Sequence, residues 1–256
     1  MSGGRLSVVV VARNEQAQLE ECLARLTDAD EIVVVLDRCS DRSHDIAARF
    51  ASRLIEGAWP IEGDRRNAGI DAASGDWILE VDADERVPAA LFAEIRQAIA
   101  SAAPGHFLVP FDNYIGRRLV RHGWGGSWGV MAAPRLFSKG AKRWGRQRIH
   151  PALELRGKPR RLTTPIDHYV DRDFNDMLDR LKRYTDARAA DLIESGTPLP
   201  PMRSTVRRSL SRFVKCYWQR GGYREGRWGM AIALMAALYP LIAHLKAELG
   251  RDGGSP

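Results

Sequence analysis

The chain has 256 residues, 45% hydrophobic and 28% charged, with a formal net charge of +7. That supports one large core, or one core plus a smaller appendage, and excludes a fibrous or disordered chain. The cysteines Cys22, Cys39 and Cys216 are odd in number, far apart and in no CxxC pair, so neither a disulfide framework nor a zinc knuckle is indicated and a reducing cytoplasm fits.

Charge is unevenly placed. Residues 1–100 carry 11 Lys+Arg against 19 Asp+Glu, and the remainder carry 28 against 13, so an acidic front half is joined to a basic back half. The run LSVVVVA from Leu6 follows a single arginine and leads straight into Arg13-Asn14-Glu15; it reads as a first strand and not as a secretion signal. Asn14 is the expected N-cap of a helix on which Leu19, Cys22, Leu23 and Leu26 recur at helical spacing. Next come the strand EIVVVLD, a helix carrying Ile46, Ala47 and Phe50, a short strand near Leu54-Ile55, a helix ending at Gly75, and the strand DWILEVD. Strands alternating with helices imply a parallel sheet with right-handed crossovers.

A helix from Pro88 to Ala103 starts with proline in its first turn, and HFLVPF then reads as a strand. Residues 112–148, rich in Gly, Trp and Arg without a clear period, are expected as loops and short strands over the sheet's carboxyl edge. A long helix spans Asp173 to Ser195, with Phe174, Met177, Leu178, Leu181 and Tyr184 on one stripe and Gly196 closing it. After the stiff linker TPLPP, Val206, Leu210, Phe213, Val214 and Tyr217 form an apolar stripe on a helix whose other faces hold Arg203, Arg207, Arg208, Arg212 and Lys215. Trp228–Leu245 has no formal charge over its 18 residues, close to the roughly 20 that cross a bilayer. Gly229, Pro240 and His244 argue against a tidy span, and a buried core helix would look similar. The pair of segments fits peripheral attachment to an anionic membrane surface.

The chemistry concentrates in ILEVDADE, residues 78–85. If the chain stays extended through Ala83, Asp82 and Asp84 share a face. Such paired carboxylates suit Mg²⁺ or Mn²⁺ bridging a diphosphate. Ligands of open α/β sheets bind outside the carboxyl ends of the strands. Here three strands end in polar groups: Asn14 and Glu15, then Asp37 with Ser40 and Asp41, then Asp82 to Glu85. That convergence favours a metal-diphosphate site over solvated turns. Arg65, Arg66 and Asn67, in GDRRNAG, offer guanidinium groups to phosphate, the alternative being a solvated helix start. Trp124, Trp128, Arg117, Arg118 and Arg121 either line a site for a phosphorylated sugar or belong to a loop that packs its tryptophans on the core.

Taken together, LSVVVVARNE, EIVVVLDRCSDRS and GDRRNAGIDAASGDWILEVDADE resemble the inverting glycosyltransferases of family 2, which have the GT-A fold and use nucleotide-activated sugars. RLFSKG, IHPALELRG, IDHYVDRDFNDMLDRLKRYTDARAADL and WQRGGYREGRWG resemble more specifically the lipopolysaccharide core-biosynthesis members of that family. The resemblance implies a Rossmann-like α/β fold with a mixed, mainly parallel sheet flanked by helices. It implies a nucleotide-sugar-binding and catalytic domain over residues 1–165 and a basic helical region over 166–256 that faces acceptor and membrane. It matches Asp37 to the base-recognising aspartate, Ala12, Asn14 and Glu15 to the nucleoside wall, and Asp82-Ala83-Asp84 to the metal and diphosphate motif. The implied reaction is displacement at an anomeric carbon with inversion, from a nucleotide-sugar donor to a lipid-linked saccharide at the cytoplasmic face of an inner membrane.

Removal of the acceptor proton needs a base. Relatives show His-Glu where this chain has His150-Pro151; in an extended Ile149–Leu155, His150 and Glu154 share a face, the alternative being that both brace a loop, and Asp112 after HFLVPF is a third candidate. A sugar-phosphate nucleotidyltransferase would present a glycine-rich loop after its first strand, and ARNEQAQ has no glycine. A non-catalytic membrane- or nucleic-acid-binding module is the other alternative. The cations accompany an apolar stripe and no recognised nucleic-acid motif, so nucleic acid is not an expected partner.

Overall fold

A computed structural model describes residues 4–125, 128–146 and 152–252. The chain forms two compact units, Met1–Phe111 with Ala132–His168, and Asp112–Met131 with Tyr169–Pro256. The sequence suggests one cut between residues 165 and 166; the units interleave instead, because 112–131 groups with the C-terminal helices.

The first unit begins β1 (Leu6–Ala12), α1 (Leu19–Leu23), β2 (Glu31–Asp37), α2 (Ser43–Ala47), β3 (Arg53–Gly57), α3 (Glu62–Ala72) and β4 (Trp77–Asp82). Strands β3, β2, β1 and β4 are neighbours in that order and all parallel. Every residue of β1 and β2 is buried, as expected of β-branched strands covered on both faces. Alternation sorts them: Val8 and Val10 pack with Leu19, Ile46 and Leu91, while Val9 and Val11 pack with Ile70 of α3. Helix α3 approaches closely at Gly69, where a Cβ would sit 2.5 Å from Val9 Cγ1.

After β4 come β5 (Glu85–Arg86), α4 (Ala89–Ala100), β6 (His106–Ile115), β7 (Arg118–Leu119), β8 (Ala132–Ser138), β9 (Lys142–Trp144), β10 (Leu153–Leu155), β11 (Pro159–Arg161) and β12 (Ile166–Asp171). β8 runs antiparallel to both β4 and β6, so the sheet is mixed. β12 pairs antiparallel with β5, setting His168 opposite Glu85. Two local expectations are corrected. Asn14 is no helix cap: α1 starts five residues later, with Gln18 preceding it, and Asn14 adopts φ +56° so that its Oδ1 accepts from Ser40 N–H at 2.8 Å. The chain also does not stay extended through Ala83, because Ala83 and Asp84 form a turn between β4 and β5.

The second unit contains α5 (Phe174–Glu194), α6 (Met202–Val214) and α7 (Arg227–Asp252). Asp173 caps α5 by accepting from Asp176 N–H at 2.9 Å. Its core joins Ile115, Val120 and Trp124 to Met177 and Leu181 of α5 and Ile232 of α7. By length and composition α7 could cross a membrane, and half of the 18-residue apolar stretch that qualifies it is buried.

Candidate active site

The site in the first unit is assembled from the carboxyl ends of β1, β2 and β4. At the end of β2 the Asp37 carboxylate is buried, and it accepts from Arg38 Nε at 2.8 Å, Trp59 N–H at 3.0 Å and Arg65 Nη1 at 3.3 Å. Burial pushes this carboxyl up, yet the Arg38 and Trp59 hydrogen bonds and the Arg65 charge outweigh it and hold it below the usual range. At the end of β1, Ala12 is buried, Asn14 is tied to Ser40, and Glu15 N–H donates to Ser43 Oγ at 3.0 Å. The two loops are therefore laced together.

At the end of β4, Asp82 meets two guanidinium groups. Arg66 Nη1 donates to Oδ1 at 2.8 Å and Arg135 Nη2 donates to Oδ2. Arg135 bonds Glu85 as well, and Glu85 Oε2 accepts from Asp82 N–H at 2.9 Å. The Arg135 and Arg66 charges, working against burial, hold the Asp82 carboxyl far below its ordinary value, whereas burial pushes Glu85 up to about 7. Arg66 also donates to Glu62 at 2.9 Å and stacks on Trp144, its Cζ 4.9 Å from the ring centre. Neither Arg65 nor Arg66, their side chains 18% and 12% exposed, is the solvated surface arginine of the plainer reading.

Asp84 has a different partner. Its Oδ2 lies 3.4 Å from His168 Nε2 of β12, and a ligand atom from each of Asp84, Glu85 and His168 lies within 4.8 Å of the others. Burial lowers the His168 pKa, but the Asp84 hydrogen bond and charge raise it by more. The described donor cluster thus takes in Asp84 and not Asp82, and the chain turns at Ala83 and Asp84 where an extended run was expected. Two carboxylates and an imidazole make a donor set that fits a divalent cation, Mn²⁺ better than Mg²⁺ because Mg²⁺ prefers oxygen alone. The residues present match the implied ion.

Other expected residues lie elsewhere. Asn67 exchanges two hydrogen bonds with the Trp144 backbone, at 2.9 and 3.0 Å, and so braces α3 on β9. Glu154 is exposed opposite Arg143 in β10 and lines a cavity of about 340 Å³ with Asp71, Lys139, Arg143 and Arg156. Asp112 is half-buried in β6 and belongs to the second unit. His150 lies outside the described residues. In the second unit, Trp124 and Trp128 are fully buried, Trp124 Nε1 donating to Val120 O at 2.6 Å and Arg180 lying 4.1 Å over Trp128. They are core residues and not a sugar-stacking surface; Arg117, Arg118 and Arg121 stay exposed.

Sequence reasoning missed Arg135 and His168. A lone arginine inside the apolar β8 run AAPRLFS, and a lone histidine between Ile166 and Val170 on one strand face, were the available signals.

A parallel β3-β2-β1-β4 core continued by antiparallel strands, with arginines and acids at its carboxyl edge, is a GT-A glycosyltransferase architecture. Residues 7–150 match the family described as Glycosyl transferase family 2, and the chain belongs to that family. It is 23% identical over 259 residues to the lipopolysaccharide core biosynthesis glycosyltransferase LpsC of Rhizobium meliloti (strain 1021), covering 94% of this chain and 91% of that one. An uncharacterized glycosyltransferase of Rickettsia felis is 23% identical over 91% of this chain and 86% of its own. Among solved structures, S. aureus TarS 1-349 superposes with a TM-score of 0.51 at 12% identity, covering 97% of this chain and 92% of that chain. The same protein in complex with UDP-GlcNAc gives 0.50 at 14% identity.

Proposed function

We propose that this enzyme transfers a sugar from a nucleotide-sugar donor to a lipid-linked saccharide of the lipopolysaccharide-core type, with inversion, as a peripheral protein on the cytoplasmic face of an inner membrane. The observation that carries the reading is the meeting of the β1, β2 and β4 ends with the Asp84–Glu85–His168 donor set. Likeness to LpsC along nearly the whole chain supports the acceptor class.

Asp37 accepts from the nucleotide base, beside a nucleoside wall of Ala12, Asn14 and Glu15. Asp84, with Glu85 and His168, holds the Mn²⁺ or Mg²⁺, which when bound neutralises charge on the departing diphosphate. Asp82, both of whose oxygens accept from arginine, fixes Arg66 and Arg135 as further positive charge for that group. Arg65 stands beside Asp37, and Asn67 holds the helix that presents Arg65 and Arg66.

Asp112, His150 and Glu154 are the proposed bases for the acceptor hydroxyl. Single alanine variants discriminate them: about 10²–10⁴-fold slower turnover with unchanged donor binding identifies the base. Three mild phenotypes remove all of them. The overall reading is tested by a thermal-shift screen of nucleotide sugars with and without Mn²⁺, followed by transfer from a labelled donor. A chain that neither binds nor turns over any nucleotide sugar is not this enzyme.

A further inference from the structure

Helix α6 is built inside out. Its buried residues are Thr205 and Ser209, 2% and 8% exposed, and Thr205 Oγ1 lies 3.3 Å from His244 Nδ1 of α7. Apart from Phe213, which is half-buried against this unit's core, the large apolar side chains face water: Met202, Val206, Leu210, Val214 and, in the wider turn that follows, Trp218, with Leu210 at 62% exposure. They recur every fourth residue and so form one continuous stripe. Helix α7 repeats the pattern with Met230, Leu234, Leu238, Leu245 and Leu249, the last 72% exposed, while Ile232, Ala236 and Ala243 face inward. Exposed apolar surface on this scale marks an interaction site.

The charge beside the stripes selects the occupant. Residues 202–251 contain ten Lys and Arg but only two acids, Glu225 and Glu248. Arg203, Arg207, Arg208 and Lys215 are exposed on or next to α6. We propose that the two stripes together form a surface that seats in the interfacial layer of an anionic bilayer, with α6 and α7 lying in its plane. This deepens the reading of a membrane-held acceptor by naming the surface that meets the membrane. The leucines enter the acyl boundary while the arginine and lysine heads reach lipid phosphate.

A second copy of the chain is a poorer occupant, because the same face would set one cationic array against another. A spanning α7 is poorer too. Its inner side is bound to charged neighbours: Lys246 Nζ donates to Asp186 of α5 at 2.6 Å, and Arg212 of α6 lies 5.2 Å over Tyr239. Crossing the bilayer would draw these groups into hydrocarbon.

The test is co-sedimentation of the full chain with vesicles of phosphatidylglycerol and phosphatidylethanolamine, against vesicles of phosphatidylcholine alone. Wild type is expected to bind the anionic vesicles about ten-fold better or more, and to lose that preference between about 0.05 and 0.5 M salt. The double variant Leu210→Glu, Leu234→Glu should lose about ten-fold or more of this binding. Its thermal melt and nucleotide-sugar binding should match wild type, since both residues point to solvent. Undiminished vesicle binding by a folded variant overturns the proposal. So does protein that stays in the vesicles after an alkaline carbonate wash, which indicates a spanning α7. Concentration-dependent dimerisation abolished by the same substitutions, with no vesicle binding, assigns the face to a second copy and also overturns it. Intact vesicle binding without any sugar transfer would count against the proposed reaction and not against this surface.

Discussion

Arg66 of α3 reaches across to Asp82 at the end of β4, with Nη1 2.8 Å from Oδ1. The pair joins the helix carrying GDRRNAG to the strand carrying DADE, so two motifs separated in sequence act as one charged unit. Its geometry also leaves Asp84, and not Asp82, facing the His168 imidazole.

Arg66→Ala leaves Asp82 with Arg135 alone in a partly closed environment. The expected cost is about 1–3 kcal/mol of folding stability, read from urea melts, together with weaker nucleotide-sugar binding. Arg66→Lys should recover only part of both, because a lysine cannot bond Asp82 and Glu62 while stacking on Trp144.

His168→Ala and Asp84→Asn each remove one donor from the proposed metal site. Either is expected to weaken Mn²⁺ binding by about 10–100-fold, measured by calorimetry or by the spin signal of free Mn²⁺. Asp82→Asn should weaken it less, since Asp82 is not one of the clustered donors Asp84, Glu85 and His168. Equal losses in all three would return Asp82 to the ligand set.

Asp37 gives a signed pH dependence. Its native pKa lies below the unfolded value, so its contribution to stability is complete above about pH 4 and lost as pH falls through the lowered native value. Thermal melts of wild type and Asp37→Asn should differ most near neutral pH and converge as the pH drops below 4. A gap that stays constant down to strongly acid pH would mean that the carboxylate charge is not what stabilises this loop.

In the second unit, Arg180 pairs with Asp171 at 2.7 Å, both side chains being buried, and lies over Trp128. Removing one partner strands the other, so Arg180→Ala is expected to cost about 2–4 kcal/mol in a denaturant melt. Replacing both by apolar residues of similar size should be far milder, a difference that a double-mutant cycle reads directly.

The sequence by itself determined the elements whose information is local. Runs such as VVVV and IVVV announce buried parallel strands, and the punctuation after each strand places Asn14, Asp37 and Asp82 at one edge, because every parallel strand delivers its carboxyl end to the same side. Tertiary structure decided whatever depends on partners far along the chain. Arg135 reaches Asp82 from 53 residues away, and His168 meets Asp84 only because β12 pairs with β5. The turn at Ala83 and Asp84 broke the extended run on which the alternation of DAD depended. Trp124 and Trp128 resemble a sugar platform in sequence, yet α5 and α7 enclose them in a core. Periodicity likewise revealed an apolar stripe on α6 but not its direction, which was settled when Thr205 and Ser209 offered small side chains for close helix packing and left the leucine side to the outside.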